Sequence, residues 1–128
     1  MELIADTLQT VTSGANVIFT STPVKGNCSI FHREGSGLTT LRGITNQCRA
    51  RFKISFGANV AIPEGGAVAP ITLAIAVSGE ALGGTTMIST PAATQQFNNV
   101  YSSVYLDVPA CATYTVSVTN LSDASIDV

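Results

Sequence analysis

Apolar and polar residues alternate with period two along much of this chain, and helical periodicity is nearly absent. The alternation is clearest in residues 49–56, 71–78, 100–108 and 113–120. Such alternation predicts strands that bury one face and expose the other. The residues expected to face the interior are Phe52, Ile54, Leu73, Ile75, Val104, Leu106, Val116 and Val118.

Shorter and weaker alternating segments lie between the strong ones, at residues 17–22, 29–33, 38–42, 87–90 and 125–128. Gly- and Pro-rich turn sequences separate them, and residues 91–97 can form a helical turn, with Thr90 as its N-cap and Pro91 at its first position. About eight to ten short, evenly spaced strands are typical of an all-β jelly roll or other β-sandwich. We therefore expect a single domain over residues 1–128, in which residues 1–16 can form an extended N-terminal segment.

Charged residues are unusually few. They make up 11% of the 128 residues, against roughly 25% in an average soluble domain. Uncharged polar side chains or another copy of the chain must therefore cover much of the surface, which favours an oligomer. The net charge of −2 argues against nucleic acid as a partner, and no apolar stretch is long enough for membrane insertion. Acidic Glu2 and Asp6 do not fit a secretory signal peptide.

The basic residues are clustered, because all six lie between positions 25 and 53. The default interpretation is a solvated face. The alternative is a surface that steers one copy of the chain towards the acidic residues of another.

The sequence contains little that suggests catalysis, a metal site or a cofactor. His32 is the only histidine, so a catalytic triad would have to be built on it, and we expect no enzyme. Three cysteines, Cys28, Cys48 and Cys111, favour buried reduced thiols, with a Cys28–Cys48 disulfide as the alternative.

Two tyrosines are more informative. Tyr101 and Tyr105 share the face of their predicted strand that points away from the core. They are either ordinary surface aromatics or part of a subunit interface, where tyrosine is enriched. We expect the interface, formed together with the small residues Thr72, Ala74 and Ala76 of the strand at 71–78.

The last sixty residues resemble a known group of domains. The segments PITLAIAVSGEAL, TTMISTPAA, NNVYSSVYLDVPACATYTVSVTN and ASIDV resemble trimeric jelly rolls of the tumour-necrosis-factor and complement globular-head type. The bacterial versions that cap collagen-like fibres on spore surfaces are similar too. The whole chain, with IFHREGSG and CRARFKISFGANVAIPEGG, also looks like small proteins of tailed phages and prophages of gut bacteria. No Gly-X-Y stalk precedes the domain, which is unlike a spore-filament protein.

The resemblance implies a homotrimeric structural protein of a phage virion, such as a capsid decoration or head-fibre component, whose partners are itself and a capsid protein. The alternative is a trimeric module that binds a host-surface glycan or receptor. Its expected ligand residues form a polar group, Gln95, Gln96, Asn98 and Asn99.

Overall fold

The computed structural model of the protein describes residues 1–5, 7–26, 29–43 and 48–128. These ranges contain twelve strands, one 3₁₀ turn at Gly83–Thr85 and no α-helix. In chain order, the strands are β1 (Glu2–Ile4), β2 (Thr10–Val11), β3 (Ser21–Val24), β4 (Ile30–His32), β5 (Thr39–Arg42), β6 (Arg49–Val60), β7 (Ile71–Val77), β8 (Glu80–Ala81), β9 (Met87–Ser89), β10 (Asn98–Pro109), β11 (Thr113–Asn120) and β12 (Ile126–Asp127).

The largest sheet has the order β4-β5-β11-β7-β8, and β9 pairs with β7 beside β8. All of its pairings are antiparallel, with Val118 opposite Ile75 and Tyr114 opposite Leu41. Thr85 occupies the gap where β8 and β9 separate. Its buried Oγ1 accepts a hydrogen bond of 3.0 Å from the backbone N–H of Ile75 and so continues the ladder.

β6 and β10 form a long two-stranded antiparallel ribbon. Their register runs without interruption from Arg49 opposite Pro109 to Val60 opposite Asn98. Twelve residues of strand span about 36 Å. Two short pairs, β1–β3 and β12–β2, complete the structure, and Ala61 directly after β6 bridges to Asp127.

The core lies between the inner face of the ribbon and the large sheet. Buried ribbon residues such as Phe56, Val60 and Val100 belong to the same hydrophobic cluster as Leu73 and Ile75 of β7. This all-β arrangement of several antiparallel sheets is consistent with a β-sandwich. It follows from the alternation, because each strand has one apolar face to bury.

The four strongest strand predictions are confirmed as β6, β7, β10 and β11, although β6 extends to Val60 and β10 begins at Asn98. Among the expected core residues, Leu73, Ile75, Val116 and Val118 are buried. Phe52, Ile54, Val104 and Leu106 pack against the core but are only partly buried. Their direction is confirmed, and their full burial is not.

The helical turn that residues 91–97 could form is absent, since this segment consists of bends and a turn. Instead, the Gln96 Oε1 atom accepts a hydrogen bond of 3.0 Å from the backbone N–H of Ala92 and closes a local turn. The short strands β1 and β2 lie within residues 1–16, where the alternation was too short to predict them.

Candidate functional site

The outer face of the β6–β10 ribbon carries the candidate site, which we call the contact face. Every second residue of each strand points to this side. The contact face comprises Arg49, Arg51, Lys53, Ser55, Gly57 and Asn59 of β6, and Asn99, Tyr101, Ser103, Tyr105, Asp107 and Pro109 of β10. All are exposed except Asp107, which is half-buried. The sequence predicted the outward residues of β6 and of β10 separately. The pairing of the two strands places them on one surface.

Tyr101 lies near the middle of the contact face and is 63% exposed. It stands opposite Gly57, where a Cβ atom would be in ordinary contact, 3.4 Å from the Tyr101 ring. Its pKa lies below the ordinary value, first because the Ser55 side chain hydrogen-bonds to the phenol oxygen and then because Ser103 does. The Tyr101 ring lies beside Gly57 and keeps most of its surface open to a partner.

Tyr105 is 66% exposed and stands opposite Lys53. The Lys53 Nζ atom lies 5.9 Å from the centre of the Tyr105 ring, which is within the range of a cation–π interaction. Tyr101 and Tyr105 are four residues apart on one strand face, so their Cα atoms are about 13 Å apart. The two rings form an exposed aromatic stripe, as the alternation predicted.

The end of the contact face beyond Tyr105 is charged. Asp107 accepts hydrogen bonds from Arg51 of 2.8 Å to Nε and 3.1 Å to Nη2, and the Arg49 Nε atom lies 3.5 Å from the same carboxylate. Three cations and one carboxylate (3 − 1) give this face a charge of +2 in a chain whose net charge is −2. A surface of opposite charge would complement it.

The opposite end of the contact face is uncharged. The Asn99 Nδ2 atom donates a hydrogen bond of 3.3 Å to Asn59 Oδ1 across the ribbon. Gln95 is exposed, whereas the Gln96 amide oxygen is engaged in its own turn and Asn98 is half-buried. Of the four expected glycan-binding residues, the structure thus places Asn99 on the contact face and Gln95 in the adjoining loop.

The five-residue interface expected from the sequence needs correction. Ala74 and Ala76 are buried within a single chain, at 0% and 2% exposed, and Thr72 is half-buried. They lie on β7, which pairs with β11, β8 and β9, whereas the tyrosines lie on the ribbon. The chain itself covers the small residues, so Tyr101 and Tyr105 are left as the exposed candidates.

The cysteines and the histidine lie elsewhere. Cys48 and Cys111 are exposed free thiols, which corrects the expectation of buried ones, and Cys28 lies outside the described residues. Cys111 sits in the turn between β10 and β11 with a φ of 64°. His32 is half-buried at the end of β4, where its Nε2 atom lies 3.0 Å from the Ser36 carbonyl oxygen and its ring meets the edge of Phe19.

The described side chains include no group of three or more His, Cys, Asp or Glu placed to hold a metal ion. No helix within the described residues has the length and apolar character needed to cross a membrane.

Neither the models of known protein families nor the curated proteins include a match to this chain.

Proposed function

We propose that this chain is a non-enzymatic structural protein of a phage virion, a homotrimeric jelly roll that serves as a capsid decoration or head-fibre component. Two independent features of the chain support this function. The resemblance of residues 71–128 to trimeric jelly rolls suggests the class, and the contact face suggests how copies of the chain meet. The all-β structure is compatible with both.

The observation that carries the proposal is the exposure of Tyr101 and Tyr105. Each ring is about two-thirds exposed in the single chain, at 63% and 66%. Burying a tyrosine ring at an interface removes a large apolar area from water while its hydroxyl keeps a hydrogen-bond partner. The Arg51–Asp107 pair neutralises two of the charges beside the stripe, and the remaining charge of +2 on the contact face would have to be matched by the partner surface.

Light scattering of the purified protein tests the trimer. The expected mass is three times that of the 13.2 kDa chain. The double variant Tyr101→Glu plus Tyr105→Glu should dissociate it, because association would bring like charges together in a low-dielectric contact. A wild-type monomer at micromolar concentration would overturn the trimer. If the double variant keeps the wild-type mass, the two tyrosines do not lie at the interface.

Phe31→Glu provides the matched control. Phe31 is also an exposed aromatic, at 55%, but it lies on β4, away from the ribbon. The control should keep the wild-type mass, and its dissociation would mean that any charge placed on an exposed aromatic disturbs the fold.

The virion role is tested with particles of a phage whose genome carries this gene. Mass spectrometry of purified virions should detect the chain at many copies per particle, and the purified protein should bind capsids that lack it. A chain found in infected cells but not in washed virions would contradict a structural role. Phage portal and capsid genes beside its own gene would support the same class.

A second candidate function, a glycan- or receptor-binding module, is favoured by the uncharged end of the contact face. Asn59, Asn99 and Tyr101 place amides next to an exposed ring there, and Gln95 lies in the adjoining loop. Amides and an aromatic ring are suitable groups for a sugar, which presents hydroxyls and an apolar ring face. Binding on a glycan array that Asn99→Ala abolishes would favour this function over the structural one.

A further inference from the structure

One edge of β6 lacks a partner strand along most of its length. β10 pairs with β6 from Arg49 to Val60, but on one edge only. Just beyond β6, Ala61 exchanges two backbone hydrogen bonds with Asp127, of 3.0 and 2.9 Å, so its N–H and C=O point to the other edge. Because these groups alternate along a strand, those of Asn59, Gly57, Ser55 and Lys53 point to that edge too. Among the described residues, none of them has a backbone partner there.

β12 shows what kind of element fits this edge. It runs antiparallel to β6, lies between Ala61 and β2, and is followed by Val128, which exchanges backbone hydrogen bonds with Gln9. Continuing the same line past Val128 leads along the open edge towards Lys53. The six residue steps from Asn59 to Lys53 cover about 20 Å.

A trench follows this line. Its first part, about 540 Å³, lies between the N-terminal segment and residues 56–59, with Val128 at one end. Its second part, about 280 Å³, continues to Lys53. Both parts are lined by Leu3, Phe19, Phe56 and Gly57, so they form one continuous trench with an apolar floor.

We propose that this trench is a docking slot for a β-strand of another polypeptide, about seven residues long, antiparallel to β6 and beginning beside Val128. The exposed backbone donors and acceptors of β6 require a backbone partner, which an extended peptide provides. The floor requires apolar side chains at every second position of that peptide, those opposite Ala58, Phe56 and Ile54. The intervening side chains face outward and can be polar.

A second copy of this chain is the less suitable donor. Each described segment with the required alternation, including β7, β10 and β11, is already paired inside a sheet. Donating one would dismantle the core of the donor. The slot therefore fits a partner protein with a free alternating segment, and this inference does not depend on the homotrimer or on the virion role.

A strand attached to the full chain tests whether the slot accepts one. Seven residues that alternate threonine and valine, starting with threonine, would be joined directly to Val128, which places the valines opposite Ala58, Phe56 and Ile54. Hydrogen exchange at the amides of Asn59, Gly57, Ser55 and Lys53 should slow by at least about tenfold, because an edge amide that gains a partner exchanges only through opening. The melting temperature should rise as well.

The control is the same extension with its third and fifth residues, the threonines opposite Gly57 and Ser55, replaced by proline, whose nitrogen cannot donate the hydrogen bonds that the strand would give to β6. It should leave the amides near Ser55 at the wild-type exchange rate. Equal exchange in the two extended proteins, at the wild-type rate, would overturn the slot.

A free peptide of the same sequence tests the source of the strand. Saturable binding to the wild-type protein, lost with the proline peptide, would support a strand from another polypeptide. If the edge amides instead become protected as the concentration of wild-type protein alone rises, the occupant is a second copy and the proposed source is wrong. Light scattering of the tyrosine variants reports the trimer separately, so either proposal can fail without the other.

Discussion

Arg51 and Asp107 are 56 residues apart in the chain and stand directly opposite each other on the contact face, joined by two hydrogen bonds of 2.8 and 3.1 Å. The pair lowers the pKa of Asp107 below its ordinary value, first through the hydrogen bonds from Arg51 and then through the positive charges of Arg51 and Arg49. It therefore links the pH of the solution to the stability of one end of the ribbon.

The ionised form of Asp107 is the one that stabilises the fold, so stability should fall as the pH is lowered. A carboxyl whose pKa is lowered in the folded state stabilises the fold above its ordinary pKa, and this contribution is lost as the pH falls through the lowered value. We expect the melting temperature of the wild type to fall on acidification below about pH 4 more steeply than that of Asp107→Asn. Asp123→Asn, in an exposed loop, is the control and should keep the wild-type slope. High salt should reduce the difference, because solvent reaches both side chains of the pair.

The ionisation of Tyr101 should depend on its two serine neighbours. Because Ser55 and Ser103 hydrogen-bond to the phenol oxygen and lower its pKa, Ser55→Ala plus Ser103→Ala should move this ionisation to higher pH. Ultraviolet difference titration measures the change, and Tyr101→Phe identifies which step belongs to Tyr101. An unchanged titration in the serine variant would show that the hydrogen bonds do not form in solution.

Truncating a core side chain should cost more unfolding free energy in the buried strand β7 than in the partly buried β6–β10 ribbon. Ile75 is completely buried in β7, so Ile75→Ala should cost about 2–5 kcal/mol of unfolding free energy. Phe52 is only half-buried at the charged end of the ribbon, and Phe52→Ala should cost less, about 1–2 kcal/mol. Urea unfolding at one fixed protein concentration measures both. A larger loss for Phe52 than for Ile75 would mean that an interface buries Phe52 further.

A buried amide should be as sensitive as an apolar core residue. Asn120 is fully buried, where its Nδ2 atom donates to the carbonyls of Val11 and Ala124 and its Oδ1 atom accepts from the N–H of Ser122. Removing the side chain leaves these backbone groups without their partner, so Asn120→Ala should cost about 3 kcal/mol. Leu121→Ala, at an exposed neighbouring position, is the control and should cost far less. Equal losses would contradict the role of the amide.

Strand positions and directions followed from the sequence because they depend on local alternation. The residues of β6, β7, β10 and β11 that face inward were identifiable, and so was the outward stripe of Tyr101 and Tyr105. The short strands β1, β2 and β8 were not identifiable, because no alternating segment surrounds them, whereas β4, β9 and β12 lie within the weaker alternating segments. The hydrogen bonding of residues 91–97 depends on a local turn that Gln96 closes.

The tertiary structure decided which strands became neighbours. Arg51 faces Asp107, Tyr101 stands opposite Gly57, and β7 lies away from the tyrosines. All three depend on long-range register, about which local alternation carries no information. The same holds for Gly43, where a Cβ atom would overlap the Pro109 carbonyl oxygen of a strand end more than sixty residues away. The sequence by itself determined which side of each strand is apolar, because that choice is made within a few residues. Only the packing of the strands determined that the outer faces of β6 and β10 form one surface and that one edge of β6 lies open. The reason is that the backbone hydrogen bonds of a sheet join distant segments whose side chains do not specify one another.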